Sequence, residues 1–145
     1  TLTNMAYGYA LLLTPMKTLT FYNAVANDGR MVSPLFVKEL RQYGQTLRTY
    51  RARTMVSSIA SDETLKEVRA AMRGVVEEGS GRILKGRYYK VAGKTGTTDE
   101  AGQCIVNVVE NESGQTLMTV VLNSPDRFRE AKILAYWAGK NYEWH

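Results

Sequence analysis

The sequence is poor in the residue types that build metal sites and cross-links. It contains one cysteine, Cys104, and one histidine, His145, which is the last of its 145 residues. A single cysteine forms no disulfide within the chain, and one terminal histidine argues against a multi-histidine metal site or a histidine-based triad. Cys104 stands in an apolar run, which favours a small buried core residue over a reactive thiol. We therefore expect no metal and no other cofactor.

Long apolar runs are lacking as well. The longest strongly apolar stretch, Ala10 to Leu13, is far shorter than the roughly 20 residues that a bilayer-spanning helix requires. The chain begins with Thr1 rather than Met, so we expect a fragment whose parent carries any membrane anchor elsewhere. The missing span then says nothing about the parent protein.

Charge is unbalanced, but only moderately. Apolar residues make up 44% and charged residues 23% of the chain, as in an ordinary folded domain, and the net charge is +5. A basic balance favours anionic partners such as cell-wall polymer, nucleic acid or phospholipid, although a solvated basic surface is the plainer explanation. The densest basic group is Arg41, Arg48, Arg51 and Arg53, and no aromatic-interleaved motif accompanies it, so no nucleic-acid partner is expected.

Three helices are predicted from capping residues and apolar spacing. The first begins at Thr14-Pro15 and is stopped by Asn27-Asp28-Gly29, where Gly29 suits a left-handed position after the helix. The second begins at Ser61 or Asp62 and ends at Gly79-Ser80-Gly81, and the third follows Ser124-Pro125-Asp126. The predicted packing residues are Leu65, Val68, Met72, Val75 and Val76 in the second helix, and Phe128, Ala131, Ile133, Leu134, Tyr136 and Trp137 in the third.

Strands are predicted in two groups. Leu35 to Arg41 and Thr46 to Arg51 flank a turn at Tyr43-Gly44-Gln45 and form a hairpin. Tyr88 to Thr97, Gln103 to Glu110 and Gln115 to Asn123 form a meander whose apolar second and third strands indicate cover on both faces. The fold class is therefore α+β, with an antiparallel sheet of about three strands plus a small hairpin, packed with helices. Three strands leave exposed edges, which predicts self-association through uncovered sheet surface.

The chemically informative segment is Lys94-Thr95-Gly96-Thr97, at the end of a predicted strand. Lys-Thr-Gly is one element of the signature of serine beta-lactamases and penicillin-binding proteins. Gly96 lets a substrate backbone approach, the threonine hydroxyls suit a carboxylate, and a backbone N–H after the glycine suits an oxyanion. The alternative is a strand that ends in a glycine turn beside a solvated lysine, and four residues alone leave both explanations open.

The surrounding sequence resembles the class B penicillin-binding transpeptidases. The similar segments are Tyr7-Gly8-Tyr9, Thr14-Pro15-Met16, Phe21 to Gly29, Ser33-Pro34, Val37-Lys38-Glu39, Gly79-Ser80-Gly81 and Tyr89 to Thr97. After Thr97, the segments Thr97 to Cys104, Val121 to Pro125 and Arg127 to Ala131 are more similar to D-alanyl-D-alanine carboxypeptidases. Both families share one fold, so the resemblance identifies residues 1–145 as the C-terminal portion of a transpeptidase domain of the serine beta-lactamase and transpeptidase-like fold.

This resemblance implies a chemistry and a place in the cell. In the superfamily, a serine attacks the penultimate D-alanine carbonyl of a peptidoglycan stem peptide, and the acyl-enzyme passes to an amine or to water. The parent is then expected to be a serine D,D-transpeptidase of the bacterial cell envelope, on the periplasmic or extracytoplasmic side of the membrane. Its expected partners are stem peptides ending in D-Ala-D-Ala and beta-lactams, which mimic that terminus.

The resemblance also assigns roles along the motif. Lys94 would orient the cleft and supply charge, and Thr95 and Thr97 would bind the substrate carboxylate through their hydroxyls. The Thr97 backbone N–H would complete an oxyanion hole, and Gly96 would give access. Gly93 would serve close packing rather than function.

Two signature elements of the superfamily are missing from the chain. It has no Ser-x-x-Lys and no Ser-x-Asn, and Thr14-Pro15-Met16-Lys17 has the spacing only with threonine and an internal proline. The nucleophile and base are therefore expected upstream of Thr1 in the parent, and the isolated chain is expected to be inactive. A D-alanyl-D-alanine carboxypeptidase and a non-catalytic peptidoglycan-binding module stay open as alternatives. The class B context at residues 7 to 38 argues against a beta-lactamase.

Overall fold

The computed structural model describes residues 13–86, 89–99 and 101–142, without the side chain of Thr98. Within these residues the helices are α1 (Pro15–Ala26), α2 (Asp62–Glu77) and α3 (Arg127–Asn141), and a 3₁₀ turn spans Arg82–Leu84. The strands are β1 (Met31–Val32), β2 (Glu39–Gln42), β3 (Gln45–Thr49), β4 (Thr54–Val56), β5 (Tyr89–Thr98), β6 (Gly102–Asn111) and β7 (Thr116–Ser124). The Tyr7-Gly8-Tyr9 segment and Tyr88 lie outside the described residues.

The main sheet is an antiparallel meander in the order β5-β6-β7. Thr95 lies opposite Ile105, which in turn lies opposite Val121 on the third strand. The strands β2 and β3 form the predicted hairpin, and β1 pairs with β4 in a further short ladder that was not predicted. The architecture confirms the α+β prediction of a three-stranded antiparallel sheet with a small hairpin and helices.

The helices begin where their capping residues predict. The side chain of Thr14 accepts a hydrogen bond from the Lys17 amide, and the side chain of Ser61 accepts one from the Thr64 amide. Each cap satisfies an amide that lacks a partner within its own helix. The second contact selects Ser61, rather than Asp62, as the cap of α2. Helix α1 ends before Gly29, whose φ of +80° is the left-handed conformation that glycine adopts without strain.

One apolar cluster joins the main sheet to the two later helices. Its buried members are Val76, Leu84, Val91, Ile105, Val121 and Ala131, and Val109 and Phe128 pack against it. Leu65, Met72 and Val76 are buried on α2 as predicted. The prediction was wrong for Val68, which is 38% exposed because it lies at the margin of the buried stripe of α2 and not at its centre.

Helix α3 faces the sheet with small side chains rather than large ones. Ala131 and Ala138 are buried, and they are seven residues apart, so they share one face of the helix. Ile133, Leu134, Tyr136 and Trp137, which were predicted to pack, are exposed instead. The alanine face brings the helix close to the sheet and turns the bulky side chains outward. Self-association through uncovered sheet surface, which is a separate expectation, stays a prediction.

Cys104 is half-buried rather than buried, because it follows the turn into β6, where its thiol donates to the Ala101 carbonyl at 3.1 Å. None of the helices in the described part of the chain combines the length and apolar character that a bilayer crossing requires.

A buried polar pair lies in the middle of the sheet. Asn107 and Thr119 face each other across β6 and β7, and the Thr119 hydroxyl donates to the Asn107 side-chain carbonyl. Both residues are less than a tenth exposed, since Asn107 is 2% and Thr119 is 7% accessible. The hydrogen bond therefore satisfies an acceptor that solvent reaches poorly.

Thr119→Val is expected to lower the free energy of unfolding by about 1–3 kcal/mol, because it leaves the buried Asn107 carbonyl without this donor. Urea denaturation measures the change. The control is Thr116→Val at the exposed start of the same strand, which is expected to change stability by no more than about 0.5 kcal/mol. Equal losses in the two variants would contradict a specific role for the buried pair.

Candidate functional site

The Lys94–Thr97 segment lies near the end of β5, an outer strand of the main sheet. One edge of β5 pairs with β6, where Thr95 lies opposite Ile105 and Thr97 opposite Gln103. Among the described residues, no strand pairs with the other edge. An outer strand of this kind presents backbone donors and acceptors that an extended peptide can use.

The two threonines of the segment share one face of the strand. Side chains alternate along a strand, so Thr95 and Thr97 lie on one face and Lys94 lies on the other. The Thr95 hydroxyl is 3.1 Å from the Ser80 hydroxyl. Ser80 belongs to the turn after α2, which is held by a 2.9 Å hydrogen bond from the Gly81 amide to the Val75 carbonyl. The end of α2 thus places a second hydroxyl beside the strand.

Lys94 contributes positive charge along the same stretch of backbone. Its side chain is exposed, and its Nζ donates to the Thr95 carbonyl at 2.7 Å. The lysine therefore folds back along the strand, which keeps the ammonium near the threonines despite the alternation of side chains.

Arg127 brings a second cation to the segment from the first residue of α3. Its Nη1 is 2.7 Å from the Gly96 carbonyl and 2.7 Å from the Thr97 hydroxyl oxygen. The side chain of the preceding residue, Asp126, caps the helix by accepting from the Arg129 amide at 3.1 Å. No role was predicted for Arg127, because its partners are 30 and 31 residues away in the sequence.

The two glycines of β5 have opposite surroundings. A Cβ atom placed on Gly96 would meet no heavy atom within 4 Å, so this position borders open space. A Cβ atom placed on Gly93 would lie 2.6 Å from the Val106 carbonyl oxygen, which is closer than real Cβ atoms come. Gly93 thus permits close packing of β5 on β6, and Gly96 leaves the strand accessible.

A mainly apolar cavity lies away from the motif. A cavity of about 520 Å³ lies between α3 and the sheet, where Leu84, Tyr89 and Ala131 are among its lining residues. None of Lys94, Thr95, Gly96 and Thr97 lines it. The hydroxyl donors and cations around the end of β5 suit a carboxylate, whereas the cavity is mainly apolar.

Comparison with known proteins identifies the class of protein. The family described as "Penicillin binding protein transpeptidase domain" matches residues 1–135. The chain belongs to this family.

Individual relatives agree with the family. The chain is 32% identical over 97 residues to stage V sporulation protein D of Bacillus subtilis, covering 66% of this chain and 15% of that protein. It is 31% identical over 104 residues to the penicillin-binding protein PbpB of Mycolicibacterium smegmatis, covering 67% of this chain and 16% of that one. The chain therefore spans about a sixth of the length of these relatives.

Solved structures confirm the fold. The D,D-transpeptidase domain of a peptidoglycan glycosyltransferase from Eggerthella lenta superposes with a TM-score of 0.71 at 21% identity, over 88% of this chain and 32% of that one. Penicillin-binding protein 2B from Streptococcus pneumoniae strain R6 superposes with a TM-score of 0.67 at 17% identity, over 91% and 26%. The predicted transpeptidase-like fold is thus correct.

Proposed function

We propose that this chain forms the substrate-binding wall of a serine D,D-transpeptidase that cross-links peptidoglycan stem peptides by acyl transfer. The observation that carries the proposal is the set of hydroxyls and cations around the end of β5, in a chain of the transpeptidase family. The same wall would bind beta-lactams, whose carboxylate takes the place of the peptide terminus. The acylating serine would come from another part of the parent protein.

Each residue of the segment has a role in this proposal. The hydroxyls of Thr95 and Thr97 donate to the terminal carboxylate of the D-Ala-D-Ala peptide, and Lys94 adds favourable charge. Gly96 admits the peptide backbone beside the strand. The Thr97 backbone N–H contributes one donor of the oxyanion hole, which stabilises the negative charge that develops on the attacked carbonyl.

The proposed substrate also sets the proposed location. Stem peptides are exposed on the outer side of the bacterial cytoplasmic membrane, so the site would work on the periplasmic or extracytoplasmic side. The net charge of +5 is compatible with an anionic wall polymer nearby. A D-alanyl-D-alanine carboxypeptidase is the second candidate, favoured by the similarity of Arg127 to Ala131 to that family. The same carboxylate wall serves both reactions, which differ in whether an amine or water accepts the acyl group.

Binding of N-acetyl-D-alanyl-D-alanine tests the proposal, with the same dipeptide amidated at its C-terminus as the comparison ligand. We expect the acid to bind at least about tenfold more tightly in an NMR titration of the chain. A hydrogen bond to a charged group contributes about 1.5–3 kcal/mol, and each 1.4 kcal/mol is about tenfold in affinity. Thr97→Val is expected to lose most of this preference, whereas Thr116→Val on β7 keeps it. Equal affinities for acid and amide in the unaltered chain would rule the proposal out.

The isolated chain is expected to bind without reacting. Because it contains no Ser-x-x-Lys, a fluorescent penicillin should give no covalent band on a denaturing gel. A complete penicillin-binding protein serves as the positive control and should be labelled at one equivalent. Stoichiometric labelling of the 145-residue chain would show that a nucleophile lies within it.

A further inference from the structure

Arg127 donates a hydrogen bond to the hydroxyl oxygen of Thr97. We infer that it is a positioning residue, which leaves the Thr97 hydroxyl proton free to point at a carboxylate and so gives the wall its preference for an acid. This inference rests on the proposed function, because it concerns the same carboxylate. Arg127 lies outside the Lys-Thr-Gly motif, so the inference adds a residue to the proposed site.

The direction of the hydrogen bond follows from the chemistry of the two groups. A guanidinium has only donors, so the Thr97 hydroxyl oxygen must accept the bond from Arg127 at 2.7 Å. The hydroxyl has one proton, which then remains available for a different acceptor. An ionised carboxylate accepts that proton in a charge-assisted hydrogen bond, which is stronger than the bond that the carbonyl oxygen of a neutral amide accepts.

The same guanidinium nitrogen also holds the backbone beside the threonine. Nη1 donates to the Gly96 carbonyl at 2.7 Å, so one group contacts two successive residues of β5. This double contact ties the accessible end of β5 to the start of α3. It also brings positive charge next to the hydroxyl, which favours an anionic ligand over a neutral one.

The arginine is held in place before any ligand arrives. Its guanidinium carbon lies 5.0 Å from the centre of the Phe128 ring, and Phe128 packs against the main apolar cluster. Its Nε is buried and has no hydrogen-bond partner among the described residues. Two acceptors on β5 and the packing against Phe128 thus hold the side chain, although one of its own donors is unpaired among the described residues. Such preorganisation lowers the ordering cost of binding.

Replacing Arg127 by lysine or by glutamine separates the positioning of the Thr97 hydroxyl from the effect of the positive charge. Arg127→Lys keeps the charge but lacks the planar group that contacts both the Gly96 carbonyl and the Thr97 hydroxyl. Arg127→Gln removes the charge and retains a donor. We expect both variants to lose acid affinity by about tenfold or more, while affinity for the amidated dipeptide changes less than about threefold. The matched control is Arg129→Gln, an exposed arginine on the same turn of α3, which is expected to leave both affinities unchanged.

The experiment is an NMR titration of the unaltered chain and these variants with N-acetyl-D-alanyl-D-alanine and its C-terminal amide, after circular dichroism has established folding. Arg127→Lys is also measured in a Thr97→Val background, where we expect little further loss because the hydroxyl it positions is gone. This double-mutant cycle can still be interpreted if Arg127→Gln does not fold, because it does not use that variant. Additive losses would show that Arg127 acts independently of Thr97 and would overturn the inference.

The remaining outcomes separate this inference from the proposed function. If the unaltered chain shows no preference for the acid, the proposed function fails and the role of Arg127 fails with it. If the unaltered chain prefers the acid and Arg127→Lys retains that preference within about twofold, only the role of Arg127 is overturned. A lower melting temperature with an intact acid preference would mark Arg127 as a merely structural residue.

Discussion

Gly93→Ala is expected to lower the free energy of unfolding by about 1–3 kcal/mol, the usual cost of forcing an extra methyl group into packed structure. The new Cβ atom would lie 2.6 Å from the Val106 carbonyl oxygen and 3.1 Å from the Asn107 Cβ. The first of these atoms is backbone and belongs to a paired strand, so it cannot move without disturbing the β5–β6 ladder. Urea denaturation of the two proteins measures the difference.

Gly96→Ala is the matched control, since it makes the same change three residues further along the same strand. Nothing lies within 4 Å of its added methyl group. Its stability is therefore expected to be unchanged or raised by up to about 1 kcal/mol, because alanine loses less backbone entropy on folding than glycine. The methyl group would, however, occupy the space in which a peptide backbone is proposed to approach, so binding of N-acetyl-D-alanyl-D-alanine should be lost. Equal stability of the two variants would contradict the assigned difference between the glycines.

Ile105→Ala is expected to cost about 2–5 kcal/mol, as for other large-to-small changes in a packed core. Ile105 is 2% exposed on the central strand, where it lies opposite both Thr95 and Val121. Removing most of its side chain leaves a cavity in the cluster that joins the sheet to α2 and α3. The loss appears as a lower denaturation midpoint with little change in slope.

The control for this cavity is Ile133→Ala, the same substitution at a residue of α3 that is 55% exposed. It is expected to change stability by no more than about 0.5 kcal/mol, because little apolar area returns to water. A large loss at Ile133 would mean that other surface covers the outer face of α3 in solution. A small loss at Ile105 would contradict the placement of the core.

Local signals predicted the elements well because their causes are local. Thr14 and Ser61 cap their helices through amides three residues away, and a turn follows from a glycine such as Gly44. The pairing of β1 with β4 was not predicted, because strands of two and three residues carry too little pattern. The meander was predictable from its long apolar runs and the turn residues between them.

The face of α3 that packs on the sheet could not be predicted from the local sequence. Apolar residues occur around much of this helix, so spacing alone did not identify the face that meets the sheet. The structure selects the alanines, because Ala131 and Ala138 allow the helix to lie close to β6 and β7. Large size was therefore a poor guide to burial for Tyr136 and Trp137, which lie on the exposed side.

The candidate site was predictable as a motif but not as an arrangement. Lys94 to Thr97 stood out because lysine, threonine and glycine together suit a carboxylate and a peptide backbone. The contribution of Arg127 depends on the start of α3 reaching the end of β5, over a separation of 31 residues for the Gly96 contact. Ser80 likewise reaches Thr95 only because α2 ends beside the strand.

Chemical-shift mapping of the backbone amides with N-acetyl-D-alanyl-D-alanine tests the central claim most directly. The predicted result is a set of largest shifts at Thr95, Gly96 and Thr97, absent or much smaller with the amidated dipeptide. The contradicting result is a set of largest shifts around the apolar cavity of about 520 Å³ between α3 and the sheet, at Tyr89 and Ala131, with the strand end unaffected.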